Sequence, residues 1–219
     1  TALVQYNSFN SAGWLANLSH KNLKITFGDI RDENLILKCC KNKNLIINLA
    51  ALISIPYSYQ AINSNIETNI LGASNICKGA LKNKVKKVIH VSSSEVYGSA
   101  IYKPINEKHP LQPQSPYSAT KIGADAIALS YYYSFGLGVT IARPFNTFGP
   151  RQSLRAIIPT VMHQIINGKK KIKLGVLNTK RDFNYVSNTI DGIISLIGAK
   201  KTSGQVFNIG YGKNVSMLD

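Results

Sequence analysis

The feature that most constrains this sequence is a repeated alternation of short apolar runs with longer amphipathic stretches. Five apolar runs have the length and composition of strands: 2–6, 24–29, 45–51, 88–92 and 138–143. Helical periodicity or helix-start signals mark three segments between them: 33–43, 64–83 and 115–135. A strand that is apolar at successive positions is typical of a parallel sheet covered on both faces. The alternation therefore predicts an α/β fold with a doubly wound parallel sheet.

The alternation of predicted strands and helices is less regular after Pro150. The sequence predicts these elements there, in chain order: helix 156–167, strand 171–175, helix 187–198, strand 206–209 and a helix opening at 215–219. We therefore expect a domain over residues 1–150 and a smaller, partial region over 151–219 that interleaves with it. Neither end is marked by a helix cap or a turn, so we expect the chain to be an internal piece of a longer protein.

The charge balance does not by itself favour nucleic acid as a partner. The formal net charge is +16, from 26 Lys and Arg against 10 Asp and Glu. Charged residues make up only 16% of the chain, so scarce acids contribute to this excess as much as surplus bases do. The lysine clusters lie at predicted helix ends and turns, and aromatic residues are not interleaved with them as a base-stacking surface requires. A basic field equally suits an anionic small substrate.

The cysteines and the longest apolar stretch indicate a cytoplasmic protein. The three cysteines, two of them adjacent, form no disulfide framework, and no His or second Cys lies at metal-ligand spacing around them. The longest apolar stretch, 45–56, is interrupted by Asn48 and Ser54 and is shorter than the ~18 residues that a spanning helix needs. We expect reduced thiols, no metal site and no membrane segment.

One pair of residues carries recognisable chemistry: Tyr117 and Lys121, in the sequence Tyr-Ser-Ala-Thr-Lys. Ser115 and Pro116 are typical of a helix start, so the four-residue spacing puts both side chains on one helix face. A nearby ammonium and the dipole of the first helical turn both favour the phenolate and lower the pKa of a Tyr, which can then act as a base. A surface Tyr near a surface Lys has the same spacing. Serines 92–94 lie at the end of the preceding predicted strand and could donate a hydrogen bond to the same substrate oxygen. Their position favours a catalytic role for the pair.

Several segments together resemble the extended short-chain dehydrogenase/reductase family and, within it, the nucleotide-sugar epimerase/dehydratase branch. The principal matches are 91–98, 115–121 and 143–151, and shorter matches are 28–32, 48–51, 68–72, 181–186 and 207–210. They keep the family's order across essentially the whole chain, which makes them more specific together than any one alone. The resemblance implies a Rossmann-like domain over 1–150 that binds NAD(P)+, and a partial substrate-binding region over 151–219.

The resemblance also implies a role for each matching residue. Tyr117 is the expected base for a sugar hydroxyl, Lys121 is expected to hold the nicotinamide ribose, and Ser93 completes the group around the hydroxyl. The expected cofactor contacts are Asp29, Ile30, Leu49, Ala50, Ala51, Asn69, Val91, Tyr117, Lys121, Pro144 and Phe145. The expected substrate contacts are Ser93, Asn146, Arg181 and Tyr185. A surface ion pair with Asp182 is an alternative to a diphosphate contact for Arg181.

Glu95 decides which reaction the resemblance implies. A 4-epimerase oxidises and reduces C4 and needs no further acid or base, whereas a 4,6-dehydratase must also remove the C5 proton and expel the C6 hydroxyl. Glu95 can take the C5 proton, and Ser94 can help to protonate the leaving group. The expected activity is therefore that of a nucleotide-sugar 4,6-dehydratase. UDP-glucuronate decarboxylases share a similar Ser-Glu stretch, so a decarboxylase, a 4-epimerase and a non-catalytic binding module are the alternatives.

The substrate and the cofactor are less closely defined. The segments 52–58 and 102–111 resemble dehydratases of the legionaminic-acid type, and the Ser-Glu pair resembles the GDP-mannose type. A UDP- or GDP-linked N-acetylglucosamine or a related hexose is the expected substrate class. Residues 6–8 supply neither an acid for NAD nor an Arg for the 2′-phosphate of NADP, so that choice is open.

Two further expectations concern the protein as a whole. The resemblance implies that the Rossmann-like domain is truncated at its start and lacks the family's N-terminal strand and glycine-rich phosphate loop. We therefore expect this piece alone to bind dinucleotide poorly and to be inactive. In the family, the helices that carry 69–80 and 117–135 commonly form a two-fold interface, and the resemblance therefore implies a homodimer. The aromatic cluster 131–135 suits core or dimer packing better than ligand binding.

Overall fold

The structure is a computed structural model and describes residues 1–175, 177 and 179–217. Its strands are β1 (Ala2–Gln5), β2 (Ile25–Gly28), β3 (Leu45–Asn48), β4 (Lys87–Val91), β5 (Val139–Pro144), β6 (Asn146–Phe148), β7 (Lys180–Tyr185), β8 (Gln205–Ile209) and β9 (Asn214–Ser216). Its α-helices are α1 (Glu33–Cys40), α2 (Ile55–Ser58), α3 (Ile62–Asn65), α4 (Gly72–Lys82), α5 (Pro116–Phe135), α6 (Ile157–Ile166) and α7 (Val186–Gly198). A π-helical turn occupies Ile66–Leu71, and 3₁₀ turns occupy Gly13–Leu15 and Ser94–Tyr97.

The central sheet is parallel and covered on both faces. Strands β3, β4, β5 and β8 lie side by side in that order, all parallel. Val88 of β4 packs into a hydrophobic cluster with residues of α1, α4 and α5, whereas its neighbour Ile89 packs into a second cluster with α7. Because successive strand residues point to opposite faces, helices cover both sides of this sheet. The predicted α/β, Rossmann-like architecture is confirmed.

The parallel strands divide into two sheets rather than one. β1 and β2 pair only with each other among the described residues, and β1 faces β3 across a cleft of about 690 Å³. Leu3 lines the cleft on the β1 side, and Ile46 and Ile47 line it on the β3 side. β3 is therefore an edge strand of its sheet, and Ile47 is 36% exposed, in contrast to the fully buried run that the sequence predicted.

The predicted helix over 64–83 is one continuous helical segment, from the start of α3 to the end of α4, with the π-helical turn in its middle. The π turn packs closely against α5. A Cβ atom at Gly123 would lie only 2.8 Å from Ile70 Cδ1, so a larger residue here would displace the end of the Ile70 side chain. Asn69, within the same turn, is 2% exposed.

Helix α5 has the ends that the sequence predicted. The Ser115 hydroxyl accepts from Ser118 N at 3.0 Å, Ser118 Oγ accepts from Ser115 N at 3.3 Å, and Pro116 occupies the first turn. A cap of this kind contributes about 1 kcal/mol. Gly136 ends the helix with φ +68°, in the left-handed region that glycine adopts most easily. These ends fix Tyr117 in the first turn of α5.

A second small sheet was not predicted. β6 pairs parallel with β7, and β7 pairs antiparallel with β9. The buried face of β7 carries Asp182 and Asn184, so it has none of the apolar alternation by which strands are recognised. The buried polar side chains of β7 form hydrogen bonds with nearby residues. Asp182 accepts from the Tyr211 and Gly212 amides at 2.9 and 2.7 Å, and Asn184 donates to Thr189 at 3.0 Å.

Two predicted elements in the C-terminal region are wrong. Residues 171–175 form no strand, because the Gln164 side chain of α6 takes up both backbone groups of Lys173, at 2.8 and 2.9 Å. The helix expected to open at 215–219 is replaced by β9 and a turn at Met217, and residues 218–219 lie outside the described part of the chain. The boundary at residue 150 stays a prediction. Within the described residues, no helix is long and apolar enough to cross a membrane.

Candidate active site

The end of β4 and the start of α5 bring Tyr117 and Ser93 together. Ser93 follows β4 and caps the 3₁₀ turn, since its hydroxyl oxygen accepts from Glu95 N at 3.2 Å. The same hydroxyl lies within hydrogen-bonding reach of the Tyr117 phenol and stabilises its ionised form. Two residues 24 positions apart in sequence thus share one polar site, as the sequence predicted for a group that binds a hydroxyl.

Tyr117 nevertheless holds its proton tightly. Burial raises the pKa of its phenol to about 12, Ser93 opposes that rise, and the carboxylates of Glu95 and Asp125 add to it. The sequence predicted a lowered pKa from Lys121 and the helix dipole. That expectation is wrong, because removal of the phenol from water is the largest effect on its pKa and raises it.

Lys121 lies one helical turn beyond Tyr117 and is also buried. Its ammonium donates to the Val91 carbonyl at 2.8 Å, so Val91 supplies an anchor for this side chain. Burial lowers the pKa of Lys121 to about 8, while Asp125 acts in the opposite direction. The ammonium is thus held at one place, and its proton is more easily lost than that of an exposed lysine.

Glu95 and Ser94 lie in the 3₁₀ turn beside this pair. Both side chains are half-buried, and the Glu95 carboxylate is close enough to Tyr117 to raise the pKa of the phenol. A carboxylate at this position can accept a proton from a group bound against Tyr117 and Ser93. The turn therefore brings all five residues predicted to be catalytic into one region.

The residues expected to hold the nucleotide side of a cofactor follow β2 and β3, on either side of the cleft between β1 and β3. They are Asp29 and Ile30 after β2, and Leu49, Ala50 and Ala51 after β3. The Asp29 carboxylate accepts from Arg31 Nε at 3.0 Å and from Nη2 at 2.8 Å, and these hydrogen bonds lower its pKa. The cleft thus has a fixed anionic acceptor at one strand end and exposed small residues at the other.

Asn69 was expected to contact cofactor, but its amide is used within the protein. Its Oδ1 accepts from Leu52 N at 2.8 Å, and its Nδ2 donates to Leu52 O at 3.2 Å and to Thr120 Oγ1 at 2.9 Å. Thr120 in turn donates to the Tyr117 carbonyl at 2.8 Å. Asn69 therefore ties the loop after β3 to the helix that carries Tyr117.

Pro144 and Phe145, the remaining expected cofactor contacts, lie at the end of β5. Both are half-buried, and the Phe145 amide donates to the Ile209 carbonyl of β8 at 2.9 Å. This bond extends the pairing of β5 and β8 beyond the regular strand. It places both residues at the carboxyl edge of the central sheet, on the strand next to β4.

The expected substrate contacts lie on the small sheet of β6, β7 and β9. Arg181 and Tyr185 alternate with buried residues along β7, and Asn146 of β6 is paired with Phe183, so all three share one face. Asp182 forms no ion pair with Arg181, since its carboxylate accepts from backbone amides. The Arg181 guanidinium donates to the Lys180 carbonyl at 3.1 Å and is half-buried.

A buried charge cluster beneath the site was missed by sequence reasoning. Asp125 accepts from Arg143 Nε and Nη2 at 3.1 and 2.9 Å, and Arg143 Nη1 donates to the Tyr97 hydroxyl at 3.0 Å. His90 lies on the other side of the carboxylate, 3.7 Å away. The one available signal was that Asp125 follows Lys121 by four residues on the same helix face. Among the described residues, no group of three or more potential ligands could hold a metal ion.

Comparison with known proteins identifies the family. The family model described as GDP-mannose 4,6 dehydratase matches residues 1–219. The dTDP-glucose 4,6-dehydratase of Actinoplanes sp. (strain ATCC 31044 / CBS 674.73 / SE50/110) is 31% identical over 223 residues, which cover 100% of this chain and 69% of that protein.

Solved structures give the same result. A double mutant of DesIV, a dTDP-glucose 4,6-dehydratase from Streptomyces venezuelae with NAD bound, has a TM-score of 0.84 and 29% identity over 90% of this chain and 62% of its own. A UDP-N-acetylglucosamine 4-epimerase from Methanobrevibacter ruminantium has a TM-score of 0.86 and 31% identity over 99% of this chain and 70% of its own.

These likenesses and the Tyr117–Lys121 site define a short-chain dehydrogenase/reductase fold of the NAD-dependent epimerase/dehydratase class. Within that class, the chain belongs to the GDP-mannose 4,6-dehydratase family. It spans 62% of the length of the DesIV structure, so the activity of the whole protein is a proposal.

Proposed function

We propose that the protein to which this chain belongs is an NAD(P)-dependent nucleotide-sugar 4,6-dehydratase. The observation that carries the proposal is the position of Glu95, whose half-buried carboxylate lies beside the Tyr117–Ser93 pair. A base at this point is needed to remove the C5 proton of a 4-keto sugar and is not needed for a simple epimerisation at C4. The family to which the chain belongs supports the same reaction.

The two strand ends support the cofactor part of the proposal. The Asp29 carboxylate after β2 can accept hydrogen bonds from an adenine or a ribose, and the backbone of 49–51 follows β3. Structural relatives contain NAD, as in DesIV. When bound, NAD(P)+ supplies an acceptor for the C4 hydride and later returns that hydride to C6.

The protein's own residues handle the protons. Tyr117 takes the proton of the C4 hydroxyl, with Ser93 donating to the same oxygen and Lys121 close by as the ammonium that favours the phenolate. The resulting ketone acidifies C5, whose proton passes to Glu95. Ser94 then helps to protonate the C6 hydroxyl as it leaves as water. Arg181, Asn146 and Tyr185 hold the sugar nucleotide, with the Arg181 guanidinium facing the diphosphate.

The proposed substrate is a UDP- or GDP-linked N-acetylglucosamine or a related hexose. The dTDP-glucose 4,6-dehydratases among the relatives add dTDP-glucose to the substrates that deserve testing. A 4-epimerase is the second candidate, because a UDP-N-acetylglucosamine 4-epimerase has a TM-score of 0.86 with this chain. The two candidates differ in whether Glu95 acts on C5.

We further propose that the enzyme is a cytoplasmic homodimer with its cofactor domain over 1–150. Buried, unpaired thiols such as Cys40 and Cys77 are typical of a reducing compartment. Apolar side chains are exposed on α3–α4 and α5, the helices expected to meet at the two-fold axis. They include Ile62, Ile66, Leu71, Tyr133 and Phe135.

The test uses the full-length protein with NAD(P)+ and a panel of sugar nucleotides: dTDP-glucose, UDP-N-acetylglucosamine, GDP-N-acetylglucosamine, GDP-mannose and UDP-glucuronate. Mass spectrometry of the products should show the loss of one water from one hexose nucleotide. Loss of carbon dioxide from UDP-glucuronate, or a product of unchanged mass inverted at C4, would contradict the proposal.

Glu95→Gln is the matched variant. Loss of a general base typically slows a step by about 10²–10⁴-fold. We therefore expect loss of water to slow by that factor in Glu95→Gln, while oxidation at C4 continues and reduced cofactor accumulates. Glu33→Gln, a change of an exposed acid that pairs with Lys78 on the surface, should leave both steps unchanged. Equal slowing of oxidation and water loss in Glu95→Gln would remove the specific role of Glu95.

A further inference from the structure

The pleat of the central sheet gathers three polar side chains beneath α5. Val88 and Ile141 pack on the α5 side of the sheet, so His90 and Arg143, each two residues further along the same strand, point to that side as well. Asn48 of the neighbouring β3 is paired with His90. All three side chains are buried, at 4%, 2% and 3% exposed for Asn48, His90 and Arg143.

The facing helix presents its own polar residues at regular spacing. Tyr117, Lys121 and Asp125 follow one another at four-residue intervals, so they lie on successive turns of one helix face. Lys121 and Asp125 are each 2% exposed. Asp125 therefore lies one helical turn beyond Lys121 on the face of α5 that packs on the sheet.

The two oxygens of Asp125 have different neighbours. Arg143 Nε and Nη2 both bind Oδ2, whereas Oδ1 is buried away from Arg143. The Ser92 hydroxyl at the end of β4 also favours the ionised carboxylate and lowers its pKa. His90 Nε2 faces Oδ1 at 3.7 Å. Asn48 Oδ1 accepts from Ala50 N at 3.2 Å, so its amide nitrogen donates to His90 Nδ1, also at 3.2 Å. The histidine therefore carries its proton on Nε2 and is neutral.

The charges in this cluster do not balance in pairs. Burial lowers the pKa of His90 to about 3, which leaves two buried cations, Lys121 and Arg143, around one buried carboxylate. The titratable and charged groups that face Asp125 are His90 on β4, Arg143 on β5, and Lys121 and Tyr117 on α5 itself. Lys121 has Asp125 and His90 as its charged or titratable neighbours, with Tyr117 one turn before it. One carboxylate thus serves two cations.

We propose that Asp125 is a positioning residue that keeps Lys121 charged beneath the catalytic tyrosine, while Arg143 holds the carboxylate in place through its other oxygen. The proposal rests on the proposed function, in which Lys121 acts as an ammonium beside Tyr117. It differs from a purely structural role, in which Asp125 serves only to neutralise Arg143. The two roles predict different behaviour of Lys121 when the charge of Asp125 is removed.

The test follows the charge of Lys121 directly in the full-length protein. Lysine labelled with ¹³C at Cε reports the charge of each side chain by NMR, and the signal of Lys121 is identified by its loss in Lys121→Arg. In the wild type we expect a midpoint near pH 8. In Asp125→Asn we expect the midpoint to move down by about one pH unit or more, as removal of a nearby opposite charge does.

A charge-balanced double variant covers the case in which Asp125→Asn does not fold. Asp125→Asn with Arg143→Gln removes one charge of each sign. Arg143 is then not left as a buried charge without its carboxylate. Lys121 still lacks its carboxylate in this variant, and its midpoint should stay low. A Lys121 midpoint equal to that of the wild type, in the single or the double variant, overturns the proposal. Asp191→Asn on the exposed face of α7 controls for net charge and should leave the midpoint unchanged.

Turnover provides a second readout that distinguishes the proposal from the proposed function. The alkaline limb of kcat should move to lower pH in Asp125→Asn together with the NMR midpoint. If Lys121 titrates as expected but no sugar nucleotide is turned over, the proposed function fails and the charge assignment stands. If turnover occurs with an unshifted alkaline limb, the positioning role of Asp125 fails and the proposed function stands.

Discussion

Tyr117 shows how burial and charge compete at a single side chain. Its place in the first turn of α5, four residues before Lys121, favours the phenolate. Burial at 6% exposure favours the neutral phenol and prevails, so the pKa rises to about 12. Tyr117 is therefore protonated at neutral pH.

A spectrophotometric titration tests this at the residue scale. The difference in near-ultraviolet phenolate absorbance between the wild type and Tyr117→Phe isolates one phenol among the 11 tyrosines. Because the folded pKa lies above the reference value of 10, the difference should stay near zero up to pH 10 and grow only towards pH 12. The stability that the buried phenol contributes is present below pH 10 and is lost as the pH rises through that range. A midpoint near neutral pH, with the fold intact by circular dichroism, would contradict this account.

Individual residues differ in how far the sequence could predict them. Tyr117, Lys121 and Ser93 were found because their spacing and position after a strand carry chemistry on their own. Asp125 and Arg143 were not found, because they lie 18 residues apart in sequence. Only the packing of α5 on β5 brings them into contact. No local pattern distinguishes such a buried acid from a solvated one.

At the scale of elements, the π-helical turn is the part of the fold with the clearest consequence for the site. Asn69, in that turn, binds both backbone groups of Leu52 and the hydroxyl of Thr120. The loop after β3 and the start of α5 are thereby held in a fixed relation. The turn thus links the end of β3, where a dinucleotide is proposed to bind, with the helix that carries Tyr117.

We expect Asn69→Leu to weaken dinucleotide binding as well as to destabilise the fold. Loss of buried hydrogen bonds typically costs about 1–3 kcal/mol. Calorimetric titration of NAD+ into the full-length variant, at a temperature where it is folded, should give a larger Kd than the wild type because residues 49–52 lose their anchor.

Asn83→Leu is the matched control for that experiment. Asn83 at the end of α4 also uses its amide on two carbonyls, those of Leu37 and Gly79, at 3.2 and 2.9 Å. It touches neither the cleft nor α5 through these bonds, so this variant should lower Tm and leave the Kd for NAD+ unchanged. If Asn69→Leu behaves in the same way as Asn83→Leu, Asn69 is a structural residue only.

The sequence predicted elements well where burial is apolar and poorly where it is polar. The strands β1 to β5 and the helices α1, α5, α6 and α7 follow from apolar periodicity and caps such as Ser115 and Gly136. The sheet of β6, β7 and β9 does not, because β7 buries Asp182 and Asn184 against backbone amides and a hydroxyl. The π turn is equally invisible, since it changes hydrogen-bond spacing without changing composition.

At the scale of the whole molecule, the parallel sheets set the position of the chemistry. β4 and β5 are neighbours, and the polar residues that follow them meet at one carboxyl edge, where ligands of doubly wound sheets bind. Strand order in the central sheet follows from a parallel, doubly wound architecture and could be expected from the sequence.

The central claim is that one molecule moves hydride from C4 to C6 of a sugar while Glu95 removes the C5 proton. The most direct test supplies the full-length protein with a substrate that carries deuterium at C4, using the sugar nucleotide that loses water in the mass-spectrometric panel. NMR of the product locates the label. The account predicts deuterium in the C6 methyl group and a keto group at C4. Deuterium retained at C4 of a product that has lost no water would contradict the dehydratase and leave an epimerase.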